Sequence, residues 1–124
     1  VPLDMPDMNP CSEILGITMD EAVNRVVQKM VTDYLDSTGS REMKIRFVKS
    51  IKVEQLQKWV RITADGSVKM FIVTAPNVES TSGRLFEIGD MLKPASYKAP
   101  AKNFARGNVF RSDCLKRVRW LGVI

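Results

Sequence analysis

Hydrophobic residues recur at helical spacing most clearly in one stretch of the chain. Val23, Val26, Val27, Met30, Val31, Tyr34 and Leu35 fall at i, i+3, i+4 and i+7 intervals and make a single apolar stripe. Gln28, Lys29, Thr32, Asp33 and Asp36 fall mostly on the opposite face. Thr18 and Glu21 stand in capping-box register just before the stripe, and Asp20 and Glu21 suit the positive end of a helix dipole. Ser37, Thr38, Gly39 and Ser40 stop the run. The pattern predicts an amphipathic helix whose Val/Met face packs into a core.

The pattern then changes to period two. Residues 43–48 alternate apolar Met43, Ile45 and Phe47 with Lys44 and Arg46, which predicts a half-buried strand. Residues 51–57 read as a bent strand or long connection. A further strand is expected over 58–63. Asp65-Gly66 follows as a tight hairpin signal, and residues 68–74 return as a strand. The unbroken apolar run in that returning strand suits a position buried on both faces. Shorter strands are expected over 84–88, 108–110 and 115–124. With 115–121 extended, Arg117 and Arg119 would share a face with Leu115 and Leu121, and Lys116 would join Val118 and Trp120 on the other.

This order predicts an α+β fold: one N-terminal amphipathic helix packed on an antiparallel sheet or a small, partly open β-barrel. A length of 124 residues suits one domain. Pro2, Pro6 and Pro10 make residues 1–12 an extended arm ahead of a single α+β domain over 13–124. Leu3, Met5 and Met8 are the arm's candidate partner-docking residues. Residues 93–108 carry Pro94, Pro100, Gly107 and several alanines, and read as an irregular basic loop of unusual length.

Charge sharpens the picture. The chain carries 19 Lys/Arg against 14 Asp/Glu. All the excess lies after residue 92, where eight bases meet one acid, Asp113, among Tyr97, Phe104, Phe110 and Trp120. Cations spaced by aromatics suit a phosphate backbone with exposed bases.

Other chemistry is thin. The chain has no histidine, so His-based catalytic triads and zinc sites are excluded within one chain. No P-loop, GxGxxG or CxxC is present. No metal site and no cofactor is expected. Asn9, Cys11 and Glu13 resemble the N-x-C-x-E loop of ribonucleotide reductases, a likeness that implies a thiyl radical at Cys11 assisted by Asn9 and Glu13. That chemistry needs a ten-stranded α/β barrel and a radical source, which a chain this short does not build. Cys11 and Cys114 are expected as free thiols, with a single bridge between them as the alternative. No signal peptide and no membrane span is recognised, so an intracellular protein, or one held inside a virion, is expected.

The leading expectation is a non-enzymatic nucleic-acid-binding domain. Lys98, Lys102, Arg106, Arg111, Lys116, Arg117 and Arg119 would hold phosphates, and Phe104 and Trp120 would stack on bases. The alternative is a structural or assembly subunit of a virus particle or ribonucleoprotein, self-associating through its arm.

Overall fold

A computed structural model describes residues 14–37 and 39–124. The arm, with Leu3, Met5, Met8, Asn9, Cys11 and Glu13, lies outside the described residues. The fold is α+β, with two helices, a four-stranded antiparallel sheet and a small two-stranded sheet.

Helix α1 spans Met19–Leu35. The Thr18 hydroxyl accepts the Glu21 N–H and the Glu21 carboxylate accepts the Thr18 N–H, so the capping box is complete. These bonds hold the Glu21 carboxyl below its ordinary range, Thr18 backbone first. Ala22, Val23, Val26 and Met30 are buried, while Val27 packs at the flank of the stripe.

The expected strand over 43–48 is instead helix α2, Arg41–Ser50. Ser40 caps it by accepting the Met43 N–H. A strand would bury Met43, Ile45 and Phe47 together, but only Phe47 is buried; Met43 and Ile45 are 51% and 45% exposed. The segment is rich in Arg, Lys, Glu and Met, which are good helix formers, and that propensity prevails over the alternation.

Strands β1 (Lys52–Gln55), β2 (Trp59–Ala64), β3 (Ser67–Val73) and β4 (Met91–Leu92) form the main sheet in that order. Asp65 and Gly66, at φ 55° and 81°, make the expected two-residue turn between β2 and β3. β3 lies inside the sheet with both faces covered. Met70 and Ile72 join Val60, Ile62 and Met91 beneath α1, while Phe71, Val73 and Leu92 face a second cluster with Val78 and Phe86.

Two further expectations change. Residues 84–88 form no strand; Leu85 makes one isolated bridge to Glu79, and the partner of β3 is β4. Residues 115–124 are not one strand either. Cys114–Arg117 is a 3-10 helix, followed by β5 (Val118–Arg119) and β6 (Gly122–Val123) as a small hairpin turning at Trp120 and Leu121. Residues 108–110 contribute one isolated bridge, Asp90 to Asn108.

The reason is tertiary. Lys29 Nζ donates to the Val118 carbonyl at 3.0 Å, and Asp33 Oδ2 accepts the Trp120 N–H at 2.9 Å. Residues on the polar side of α1 thus bend the last segment along the helix. Gly122, at φ 121°, lies against the Lys69 carbonyl, where β3 carries a bulge relative to β2.

Met30→Ala, at a fully buried position, is expected to cost about 2–5 kcal/mol in urea unfolding, and Gln28→Ala, on the exposed face, less than about 0.5 kcal/mol. Equal costs would remove Met30 from the core.

Gly122→Ala would drive a Cβ into the Lys69 carbonyl oxygen, whereas a Cβ on Gly83, also at positive φ, meets open space. Strain at positive φ costs both about 1–2 kcal/mol. The collision adds a further ~1–3 kcal/mol at 122 alone, readable as a gap between the two denaturation midpoints.

Candidate nucleic-acid interface

The second face of the sheet is covered by irregular chain, and the basic loop forms much of that cover. The loop is held by its own sheet. The Arg106 N–H donates to the Met91 carbonyl, Ala101 N–H to Lys93, and Thr81 N–H to the Lys102 carbonyl. Pro100 is buried and bridges to Pro94. The loop therefore has regular anchorage although its backbone is irregular.

Three cation–aromatic pairs lie on or beside this loop. The Arg61 guanidinium carbon is 4.1 Å from the Tyr97 ring centre, and that of Arg106 is 4.0 Å from the Phe104 ring centre. Lys102 Nζ is 5.4 Å from the centre of Trp59. All three distances fall within cation–π range. Trp59 and Arg61 reach the same sheet face because they are two residues apart on β2.

The pairs differ in what they leave free. Arg61 is 8% exposed and its charge is met by Glu54 at 3.1 Å, while its Nη1 donates to the Tyr97 carbonyl. Arg61 therefore acts as a rigid backing for Tyr97. Arg106 Nη1 donates to the Ile124 main-chain oxygen at 3.3 Å, and its buried Nε has no partner among the described residues. Tyr97 and Phe104 are 54% and 52% exposed.

Each ring borders a depression. Beside Phe104 lies one of about 240 Å³ lined by Ser80, Ser82, Arg84 and Asn103. Beside Tyr97 lies one of about 370 Å³ lined by Gly66, Ser67, Pro94 and Ser96.

The expected site residues are only partly gathered. Lys98, Lys102, Phe104 and Arg106 belong to the loop. Arg117 joins them, because its Nη2 donates to the same Ile124 oxygen as Arg106, at 2.7 Å. Arg111 is bridged to Ile14. Arg119 turns back onto the carbonyls of Lys116 and Val118. Lys116 is exposed on the 3-10 helix.

Trp120 is half-buried, packed edge-on against Tyr34 and Phe47 with ring centres 4.8 and 5.8 Å away. It serves as a bolt between α1, α2 and the β5–β6 turn. Tyr97 and Arg84 lie beside these groups, although neither is among the phosphate-holding or stacking residues expected from the sequence. The signal available for Tyr97 was its place among cations with no acid between residues 91 and 112.

Among the described residues, no three His, Cys, Asp or Glu side chains come together as a metal site. No described helix is long and apolar enough to cross a membrane. No protein-family model, curated protein or solved structure matches the chain.

Cys114 is a free, buried thiol whose Sγ–H faces the Val109 carbonyl. Burial raises its pKa, outweighing the lowering effect of nearby Arg25. A raised thiol pKa contributes stability that is intact below the ordinary value of 9.0 and is lost as pH rises through the folded value. Thiol counting at pH 8 should therefore find Cys114 unreactive until denaturant is added. The advantage of wild type over Cys114→Ser should shrink above pH 9.

Proposed function

We propose that this chain is a non-catalytic, single-stranded nucleic-acid-binding domain, and that the loop-covered sheet face is its interface. One observation carries the reading. Two aromatic rings, Tyr97 and Phe104, stand more than half exposed on an acid-free basic loop, each backed on one side by a guanidinium. An exposed ring with a cation behind it offers a π surface to any base, and stacking of this kind tolerates sequence.

The division of labour follows from the geometry. Tyr97 and Phe104 stack on bases. Lys98, Lys102, Arg84 and Arg106 take phosphates, with Arg117 extending the positive track past Phe104. Arg61, neutralised by Glu54, positions Tyr97 and adds little to phosphate affinity. The depressions beside the rings give flanking sugars room, and Ser80, Ser82 and Asn103 offer polar groups there. Trp120 does not take part in stacking in this reading, because its ring packs against Tyr34 and Phe47.

Binding of a fluorescent mixed-sequence oligonucleotide tests this. About five neutralised phosphates give a log–log salt slope near −3.5 for a single strand. Phe104→Ala and Tyr97→Ala should each weaken binding by about 1–3 kcal/mol while leaving the slope intact. Lys98→Ala should reduce the slope by about 0.7. Lys116→Ala, away from the rings, should change affinity less than Lys98→Ala. Salt-independent binding, or full affinity in the double aromatic variant, would remove the proposal.

A further inference from the structure

Helix α2 uses little of its surface in the core. Phe47 is its one buried residue, stacked on Tyr34 with ring centres 4.1 Å apart. A helix this short is marginal by itself, so that contact and the Ser40 cap are needed to hold it. Lys44 adds a bond to α1, its Nζ donating to the Leu35 carbonyl at 2.9 Å. The opposite side of α2 is thereby presented on a fixed support.

That side is apolar at its centre and basic at its edges. Helical geometry sets Val48, Arg41 and Ile45 side by side, with Lys44 beyond one edge and Lys49 beyond the other. Together with Leu35 at the end of α1, these side chains line an open groove of about 580 Å³. Leu35, Ile45 and Val48 are 47%, 45% and 37% exposed. Apolar residues exposed singly are ordinary, whereas three that line one recess mark a docking surface.

Charge says what fits there. Helix α2 carries Arg41, Lys44, Arg46 and Lys49 against one acid, Glu42. No acid is among the described residues that line the groove. Arg41 and Lys49 make no ion pair among the described residues. A nucleic-acid backbone would meet the cations and leave the three apolar side chains in water. A flat lipid surface would meet the lysines at the edges and not the recess between two helices. A stripe of apolar side chains flanked by carboxylates satisfies both the recess and its edges. An amphipathic helix has that form, with anchors at i, i+3 or i+4, and i+7, and it packs ridge into groove on two helices already in place.

We propose that the α1–α2 groove is a docking site for an acidic amphipathic helix of another protein. Its apolar stripe lies on Leu35, Ile45 and Val48, and its carboxylates face Arg41 and Lys49. The groove shares no residue with the basic loop, and the inference does not rest on nucleic-acid binding.

The test uses the full chain without nucleic acid. The probe is a phage-displayed library of random peptides about four helical turns long. Retained sequences should share apolar residues at i, i+3 or i+4, and i+7, with Asp or Glu beside them. A synthetic copy of a retained peptide, titrated into isotope-enriched chain, should shift the amide signals of Leu35, Ile45 and Val48 and leave those of Tyr97 and Phe104 in place. Ile45→Glu should weaken that peptide by about tenfold or more, because it sets a carboxylate in the apolar contact. The double variant Arg41→Glu, Lys49→Glu should weaken it too, and should prefer a copy of the peptide whose acids are changed to Lys. All three positions are exposed, so the variants should keep the wild-type circular dichroism. Retention of no such sequences, or shifts confined to Tyr97 and Phe104, would overturn the proposal. So would a dimer in light scattering that Ile45→Glu dissolves, which makes a second copy the occupant. Binding to phosphatidylserine vesicles that Ile45→Glu abolishes, with no peptide retained, would overturn it in favour of lipid.

Discussion

The structure depends on burying β3 on both faces. Met70 and Ile72 need one cover and Phe71 and Val73 another, and all four are fully inaccessible. One helix cannot supply two covers. Helix α1 and residues 109–123 close the first side, and the chain between Val78 and Ala105 closes the second. Apart from β4, only two residues long, the second cover is irregular chain. The basic loop is thus required by the core before any ligand is considered.

What could be read from the sequence was local. The capping box and apolar stripe specify α1 within a few residues. Asp65-Gly66 specifies a turn because both positions need positive φ. The unbroken run in β3 reported its double burial. The errors share one cause. Period-two alternation at Met43, Ile45 and Phe47 indicates a strand only if those residues are buried together, and two of them are exposed. Ser40 was read as the end of one helix, yet it is also the start of the next. Residues 115–124 have strand composition, but their path is set by Lys29 and Asp33, nearly ninety positions away.

The candidate interface was legible in charge and not in shape. Composition located the cations on the segment after residue 92. It could not say which aromatic rings would be exposed. Trp120 has the most apolar area of the set and is used for packing between two helices. Tyr97 and Phe104 are exposed because they lie on the outer side of the loop that helps cover the second face. The Phe104 ring is held by Arg106, so a charge that would attract an anion also fixes the orientation of a surface it would stack on.

The two long-range tethers of α1 bear on how the protein is made. Helix α1 is specified early in the chain, but the groups that satisfy Lys29 and Asp33 lie at Val118 and Trp120. During synthesis the helix can form from local signals, yet its Val26 and Met30 surface stays without Val118 and Val123 until those residues emerge. Contacts this distant in sequence carry a large loop-closure cost and form late. Completion of the core therefore waits for residues 118–123, and a nascent chain that has not yet reached them would retain its sheet's first face partly open to water and to other chains.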